Sequence, residues 1–165
     1  MTMIDDVRAA QGGDLTAFAR LVARYRSAAV TYARRWVGDA EAEDAAQDAF
    51  IDVHRGLAQL REPAAFPGWL RRVVRKHCDR RTRRARLDFT TDWSESEAPS
   101  DDVPLAVRAD AQRVALGLRR ELSQLPEHER TAVALHYLAE MPVAEIAQFL
   151  DVSPAAVKKS ARSWR

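Results

Sequence analysis

The chain is 165 residues long, 47% apolar and 30% charged, with a formal net charge of +2. That suits one medium or two small soluble, helix-rich domains, and a total so near neutrality names no partner. A single cysteine, Cys78, excludes an internal disulfide framework, no apolar run approaches the roughly 18–20 residues that span a bilayer, and MTMIDDVRAAQGGD lacks the basic stretch and apolar core of a secretory signal, so a cytoplasmic protein without membrane insertion is expected.

The first strong helical pattern is DLTAFARLVARYRSAAVTYARRWVGD. Asp14 is a plausible N-cap and Gly38 a good stop. Phe18, Leu21, Val22, Tyr25, Ala29, Tyr32 and Trp36 recur at three- and four-residue steps and predict one buried stripe. DAEAEDAAQDAFIDVHRGLAQL follows, acid-rich at its start as a helix dipole favours, with Ala45, Phe50, Val53 and Leu57 able to face inward. From Asp39 to Asp52 the acids are Asp39, Glu41, Glu43, Asp44, Asp48 and Asp52, with no Lys or Arg among them. REPAAFPG, with two prolines and a glycine, breaks the pattern.

The next helix, from Trp69, inverts the charge. Between Trp69 and Arg86 nine Arg or Lys stand against Asp79 alone, a local balance of +8. At about 100° per residue, Trp69, Leu70, Val73, Val74, His77 and Cys78 share one half of the helix, and Arg71, Arg72, Arg75 and Lys76 the other. Arg80 and Arg81 swing back toward the apolar side, so the regular helix is expected to fray or end near them. Like charges at these steps repel by a few tenths of a kcal/mol per pair. A solvated cationic face would carry that cost for nothing; contact with a phosphate backbone would repay it.

Residues 87–110 are acidic, with seven Asp or Glu against Arg108, a balance of −6, and collect Ser, Thr and Pro without a helical period. They read as a flexible acidic linker, so the expected architecture is all-α: residues 1–86, the linker 87–110, and a second helical unit, 111–165. In the second unit LPEHER puts Pro126 in a first helical turn with Glu127 and Glu129 at the favourable end. Val133, His136, Tyr137 and Glu140 are read as one side of that helix.

PVAEIAQFLDVSPAAVKKSARSWR then gives a short helix, a tight turn and a second helix. Val143, Ile146, Ala147 and Leu150 form the inner stripe of the first. Asp151 occupies the turn, where Asp tolerates a left-handed conformation. Ser153 caps the new helix, Pro154 sits at its first position, and Val152 and Val157 can close the small core. Ser153, Ala155, Ala156, Lys158, Lys159 and Arg162 are left outward, short near the N-terminus and basic beyond. That is a helix-turn-helix with a recognition helix suited to the major groove, set against the plainer reading of an ordinary helical hairpin.

With both units in place, the chain resembles the extracytoplasmic-function (ECF) sigma factors of bacterial RNA polymerase over nearly its whole length. DAEAEDAAQDAFIDVHRGLAQL is similar to that family's acidic helix in region 2, AFPGWLRRVVRKHCDRRTRR to its promoter-melting and −10-reading helix, and LSQLPEHERTAVALHYLAEMPVAEIAQFLDVSPAAVKK to region 4. The resemblance implies a subunit that binds core RNA polymerase and directs promoter recognition, DNA melting and transcription initiation. It places Asp44, Gln47, Asp48 and Phe50 on the helix that docks on the β′ clamp. It gives the −10 element to Arg61, Phe66, Trp69, Arg71, Arg72, Arg75 and Lys76, the loop LREPAAF holding a flipped-out base. Ser153, Ala155, Lys158, Lys159 and Arg162 would face the −35 element, and the preceding helices the β flap. For Trp69 itself, core packing competes with a base-stacking role. An anti-sigma protein or an appended C-terminal regulatory domain is a further partner implied by the family, and no cofactor is.

The sequence departs from the family pattern at Lys76, where Asn is common, at Asp151, where Gly is usual, and after the lysine pair, where Ser160, Ala161, Arg162, Ser163 and Trp164 follow. Promoter specificity therefore cannot be carried over, and a further C-terminal extension is left open. A helix-turn-helix repressor or activator acting without polymerase explains 111–165 equally well, but not the +8 segment or the acidic helix before it. An enzyme is the third reading. His54, His77, Cys78, His128 and His136 have no zinc-ligand spacing, His77 and Cys78 lie on the apolar face as a buried pair, and neither a phosphate-cradling Gly loop nor a Ser/His/Asp constellation is present. By itself the chain is read as no catalyst.

Overall fold

Thr2 opens the fold as a helix cap. Its hydroxyl accepts from the Asp5 backbone N–H while the Asp5 carboxylate accepts from the Thr2 N–H, 2.8 Å away, which satisfies two end groups of α1 (Met3–Gln11) at once. The computed structural model describes residues 2–88 and 125–162. Beyond α1 these form α2 (Leu15–Gly56), two short 3-10 turns (Leu57–Gln59 and Pro63–Ala65), α3 (Phe66–Asp88), α4 (Glu127–Tyr137), α5 (Val143–Leu150) and α6 (Pro154–Arg162). From residue 89 on, the expected acidic linker lies outside the described residues.

Asp14 caps α2 as the sequence predicts, its Oδ1 accepting from Thr16 and Ala17 N–H at 2.8 and 3.0 Å. Gly38 interrupts the helix without ending it. It takes φ 78° and ψ −177°, a backbone conformation that side chains disfavour, and so joins two helical halves across a kink. The predicted stripe holds: Leu21, Tyr25, Ala29 and Tyr32 are buried, and in the second half Ala45, Phe50, Val53 and Leu57 are too. The buried face is rich in alanine (Ala28, Ala29, Ala33, Ala42, Ala45, Ala46, Ala49), so α3 lies close along it. Leu70, Val74 and Cys78 of α3 are fully buried there, each aliphatic side chain worth about 1.5–3 kcal/mol by burial. α1 ties down the far end of α2, the Gln11 amide donating to the Leu57 and Leu60 carbonyls at 3.0 and 2.7 Å.

α3 does not end near Arg80, as its angular pattern suggests, but runs to Asp88. The inward cation is matched rather than avoided: Arg81 donates to Glu41 and to Asp48, the latter at 2.7 Å. Burial disfavours its charge, but those hydrogen bonds outweigh the burial and the guanidinium holds its proton more tightly than usual.

In the second unit α4, α5 and α6 pack around Leu135, Ile146, Ala147 and Val157. Asp151 takes the left-handed conformation at φ 58°, ψ 50°, and Ser153 Oγ accepts from Ala156 N–H at 3.2 Å to cap α6. Three expectations need correction here. Pro126 precedes the first turn of α4 as its N-cap residue. Val152 is 41% exposed, so Val157 alone of that pair closes the core. Val133 and Tyr137 do not share an environment, Val133 being buried and Tyr137 exposed.

The two units touch. Phe149 of α5 is fully buried and meets the Tyr32 ring edge-on at 5.8 Å, and one continuous apolar cluster runs from α2 and α3 into α4 and α5. Arg24 pairs with Glu145, Arg35 donates to the Thr131 hydroxyl, and Gly68 lies against the Gln148 backbone carbonyl.

Candidate nucleic-acid interface

Packing of α3 onto α2 decides which of its cations reach solvent. With Leu70, Val74, His77 and Cys78 inward, Arg72, Lys76 and Arg80 are exposed at four-residue steps along the opposite face. His77 is nearly buried, and its Nε2 donates to Asp52 Oδ2 at 2.9 Å. That bond, ahead of a longer contact from Lys76 at 3.4 Å, holds the Asp52 carboxyl below its ordinary value. Lys76 reaches Asp52 only through that long contact and stays largely exposed, while Arg72 has no ion-pair or hydrogen-bond partner among the described residues.

Arg75 is spoken for. Its guanidinium lies 3.2 Å from the centre of the Trp36 ring, and its Nε donates to Asp79 at 2.9 Å. Arg35 also approaches that indole, at 4.5 Å. Arg71 is half-buried, with its Nε buried and unpartnered. Arg61 stands exposed between the two 3-10 turns.

Beside Arg72 and Lys76 an open hollow of about 570 Å³ lies between the end of α2 and α3, walled by Arg55, Gly56, Gln59 and Trp69. Gly56 faces the indole across it: a Cβ there would come into van der Waals contact with the Trp69 ring, at 3.4 Å. Trp69 is half-buried, packed edge-on against Phe66 at 6.2 Å while its other side forms a wall of the hollow. Phe66, expected at the DNA, is fully buried between Tyr25 and Trp69 and works in the core. Arg55 and Gln59 were not foreseen; only their positions four residues apart, in the last turn of α2 and the 3-10 turn that follows, point to them.

On the outer face of α2, Asp44 and Gln47 are exposed and Asp48 is half-buried, engaged by Arg81. Phe50 is only 7% exposed and belongs to the core. The apolar side chain that does accompany the acids is Ile51, 43% exposed. The helical period already puts it there, since Asp44, Gln47 and Ile51 lie at i, i+3 and i+7 while Phe50 falls on another side.

On α6 the outward residues are as expected. Ser153, Ala155, Ala156, Lys158 and Lys159 are exposed, and Val157 and Ser160 point inward. The Ser153 hydroxyl already serves the helix cap. Arg162 ends α6, and its side chain lies outside the described residues. Two small residues followed by two lysines leave the first turn able to approach base edges while the charge meets phosphates. Among the described residues no helix is long and apolar enough to cross a membrane.

Comparison with known proteins points the same way. Residues 21–87 match the family model described as Sigma-70 region 2, and residues 115–162 the one described as Sigma-70, region 4. The chain is 35% identical over 148 residues to the ECF RNA polymerase sigma factor SigM of Mycobacterium tuberculosis, covering 88% of this chain and 72% of that protein. It is 30% identical over 162 residues to the RNA polymerase sigma-H factor of Pseudomonas aeruginosa, with 92% and 84% covered. Against the ECF RNA polymerase sigma-E factor of Escherichia coli K12 it is 30% identical over 161 residues, with the same coverage. Among solved structures, CnrH in complex with the cytosolic domain of CnrY aligns with a TM-score of 0.57 at 24% identity, covering 95% of this chain and 88% of that one. At that identity the likeness speaks for the fold.

Proposed function

The chain belongs to the ECF sigma factors of bacterial RNA polymerase, and from that premise we propose how its surfaces divide the work of the family. It is a sigma factor: it binds core RNA polymerase and promoter DNA and directs promoter recognition and transcription initiation. The family acts as an initiation factor and not as a catalyst in its own right.

The division follows the units 1–86 and 111–165, joined by the acidic segment 87–110. Asp44 and Gln47, with Ile51 between them on one face, dock on the β′ clamp. Asp44 supplies steering, the Gln47 amide supplies orientation, and the exposed isoleucine supplies the desolvated contact. Arg61, Arg72 and Lys76 take the phosphates of the melted −10 strand, and an unstacked base enters the hollow beside Trp69 and the turn 60–66. A cationic track beside an aromatic wall is what an opened strand needs. Arg71 and Arg75 act from behind this surface, Arg75 by fixing Trp36. Ala155, Lys158, Lys159 and Arg162, with the capping Ser153, face the −35 duplex, and the helices before α6 meet the β flap. A protein partner restrains the chain, as the complex of CnrH with the cytosolic domain of CnrY suggests by analogy.

The observation that carries this reading is the pairing of Arg72 and Lys76, exposed on α3, with Lys158 and Lys159, exposed on α6. Transcription assays with core polymerase test it. Reversing Arg72 and Lys76 to Glu should abolish open-complex formation while leaving polymerase binding intact. Open complexes at wild-type yield would remove that face from the mechanism. Replacing Asp44 by Arg and Ile51 by Asp should instead weaken the association with core enzyme.

A further inference from the structure

The chain leaves α2 through the 3-10 turn Leu57–Gln59, where the Leu60 N–H closes on the Leu57 carbonyl at 3.1 Å. The Gln11 side-chain amide donates to that same carbonyl at 3.0 Å and to the Leu60 carbonyl at 2.7 Å, across 46 and 49 residues of sequence. One nitrogen thus commits both of its N–H groups to a single turn. Gln11 is itself held in place. It is the last residue of α1, and the chain reverses at once: Gly13 takes φ 95°, which favours glycine, and the Asp14 N–H donates back to the Ala9 carbonyl at 3.1 Å. Val7, one turn before Gln11, is fully buried.

What this clamp holds is the approach to the hollow beside Trp69. Gln59 is one of its walls, and Arg61, the one cation between the two 3-10 turns, follows Leu60 directly. Beyond Arg61 the chain is fixed locally. The Glu62 carboxylate accepts from the Ala64 N–H at 3.3 Å, and its carbonyl from the Ala65 N–H at 3.0 Å. Residues 60–62 are therefore pinned on one side by Glu62 and on the other by Gln11, which is not itself a wall of the hollow.

We infer that Gln11 is a positioning residue for the choice of base at the −10 element. By fixing the Leu57 and Leu60 carbonyls it sets where Gln59 and Arg61 stand, and so which base the hollow accepts. The inference rests on the reading that an unstacked −10 base enters that hollow. A loosened turn still offers a cation and an aromatic wall, so strand binding persists. Discrimination among bases needs polar groups held to within about 0.5 Å, and that is what is lost.

The test compares wild type, Gln11→Met and Gln11→Lys as full chains. Met keeps the length and helix preference without a donor, and the Lys ammonium supplies donors again. Open-complex rates with core polymerase are measured on promoters carrying each of the four bases in turn at every −10 position. The preference at the most selective position should fall several-fold in Gln11→Met and return in Gln11→Lys. Affinity for core enzyme and for −35 duplex should stay at the wild-type value. In the free chain the Leu60 amide should exchange faster in Gln11→Met, and the amides of α6 should not. An unchanged base preference or an unchanged Leu60 amide in Gln11→Met overturns the inference. So does a Met variant that loses core affinity, −35 binding and selectivity together, since that is general damage to the fold. Lost selectivity that Gln11→Lys fails to restore overturns the donor role. If wild-type factor discriminates no base at any −10 position, the reading of the hollow fails and takes the inference with it, a result visible before any variant is compared.

Discussion

Asp151 holds φ 58° at the turn of the helix-turn-helix, where a Cβ crowds the backbone and glycine does not. Asp151→Gly should therefore stabilise the protein by up to ~1 kcal/mol, the loosened unfolded chain offsetting part of the gain. The urea midpoint should rise while binding to −35 duplex stays unchanged, since no DNA contact is assigned to the residue. Two buried groups set the alkaline limit. Burial pushes the Cys78 thiol from 9.0 up to about 11, and the Tyr25 hydroxyl from 10.0 up to about 12. Both are raised in the folded state, so the stability they contribute is fully present below about pH 9 and is lost as pH climbs through 11 and 12. Thermal unfolding followed against pH should show that decline. Among the described residues the buried Tyr25 hydroxyl makes no well-formed hydrogen bond, and the nearby Arg24 guanidinium only partly offsets its burial, so Tyr25→Phe should cost little at neutral pH and flatten the alkaline limb. A steep loss of stability at pH 7 would show that the hydroxyl has a partner after all.

At the scale of the helix, pattern reading succeeds where the cause is local. The two faces of α3, the cap at Asp14 and the left-handed turn at Asp151 all follow from neighbours within a turn or two. It falls short where the cause is distant. Arg81 extends α3 by reaching Glu41 and Asp48, 40 and 33 residues away, and no period in the sequence connects them. Phe50 and Ile51 differ in another way: their exchange was legible, because the spacing from Asp44 already separates them. The Arg81 contacts make a prediction for the helix. Arg81→Ala should let the last turns of α3 fray, at a cost of roughly 1 kcal/mol because the pair is partly screened by solvent. Amide exchange should speed up around residues 80–86 and not around Val74. Arg81→Lys should recover only part of the protection, since one ammonium cannot hold both carboxylates as a guanidinium fork does.

For the molecule as a whole, the composition hid the distribution. A net charge of +2 conceals cationic faces on two units, and only block-by-block reading exposes them. The contact between the units was not legible, because Phe149 has no counterpart nearby in sequence and its partner Tyr32 already fitted a local stripe. If each face meets its own nucleic acid, the salt dependence of binding must separate into two parts. Each phosphate neutralised on duplex adds about 0.9 to the slope of log affinity against log salt, and about 0.7 on single strand. Replacing Lys158 and Lys159 by Ala in the polymerase-bound factor should therefore lower the slope on −35 duplex by about 1.8. The same change should leave the slope on a −10 bubble as it was. Replacing Arg72 and Lys76 should do the converse, lowering the bubble slope by about 1.4 and leaving the duplex slope alone. Pairs that moved both slopes together would mean a single shared DNA track, and the two faces could not then be serving two promoter elements.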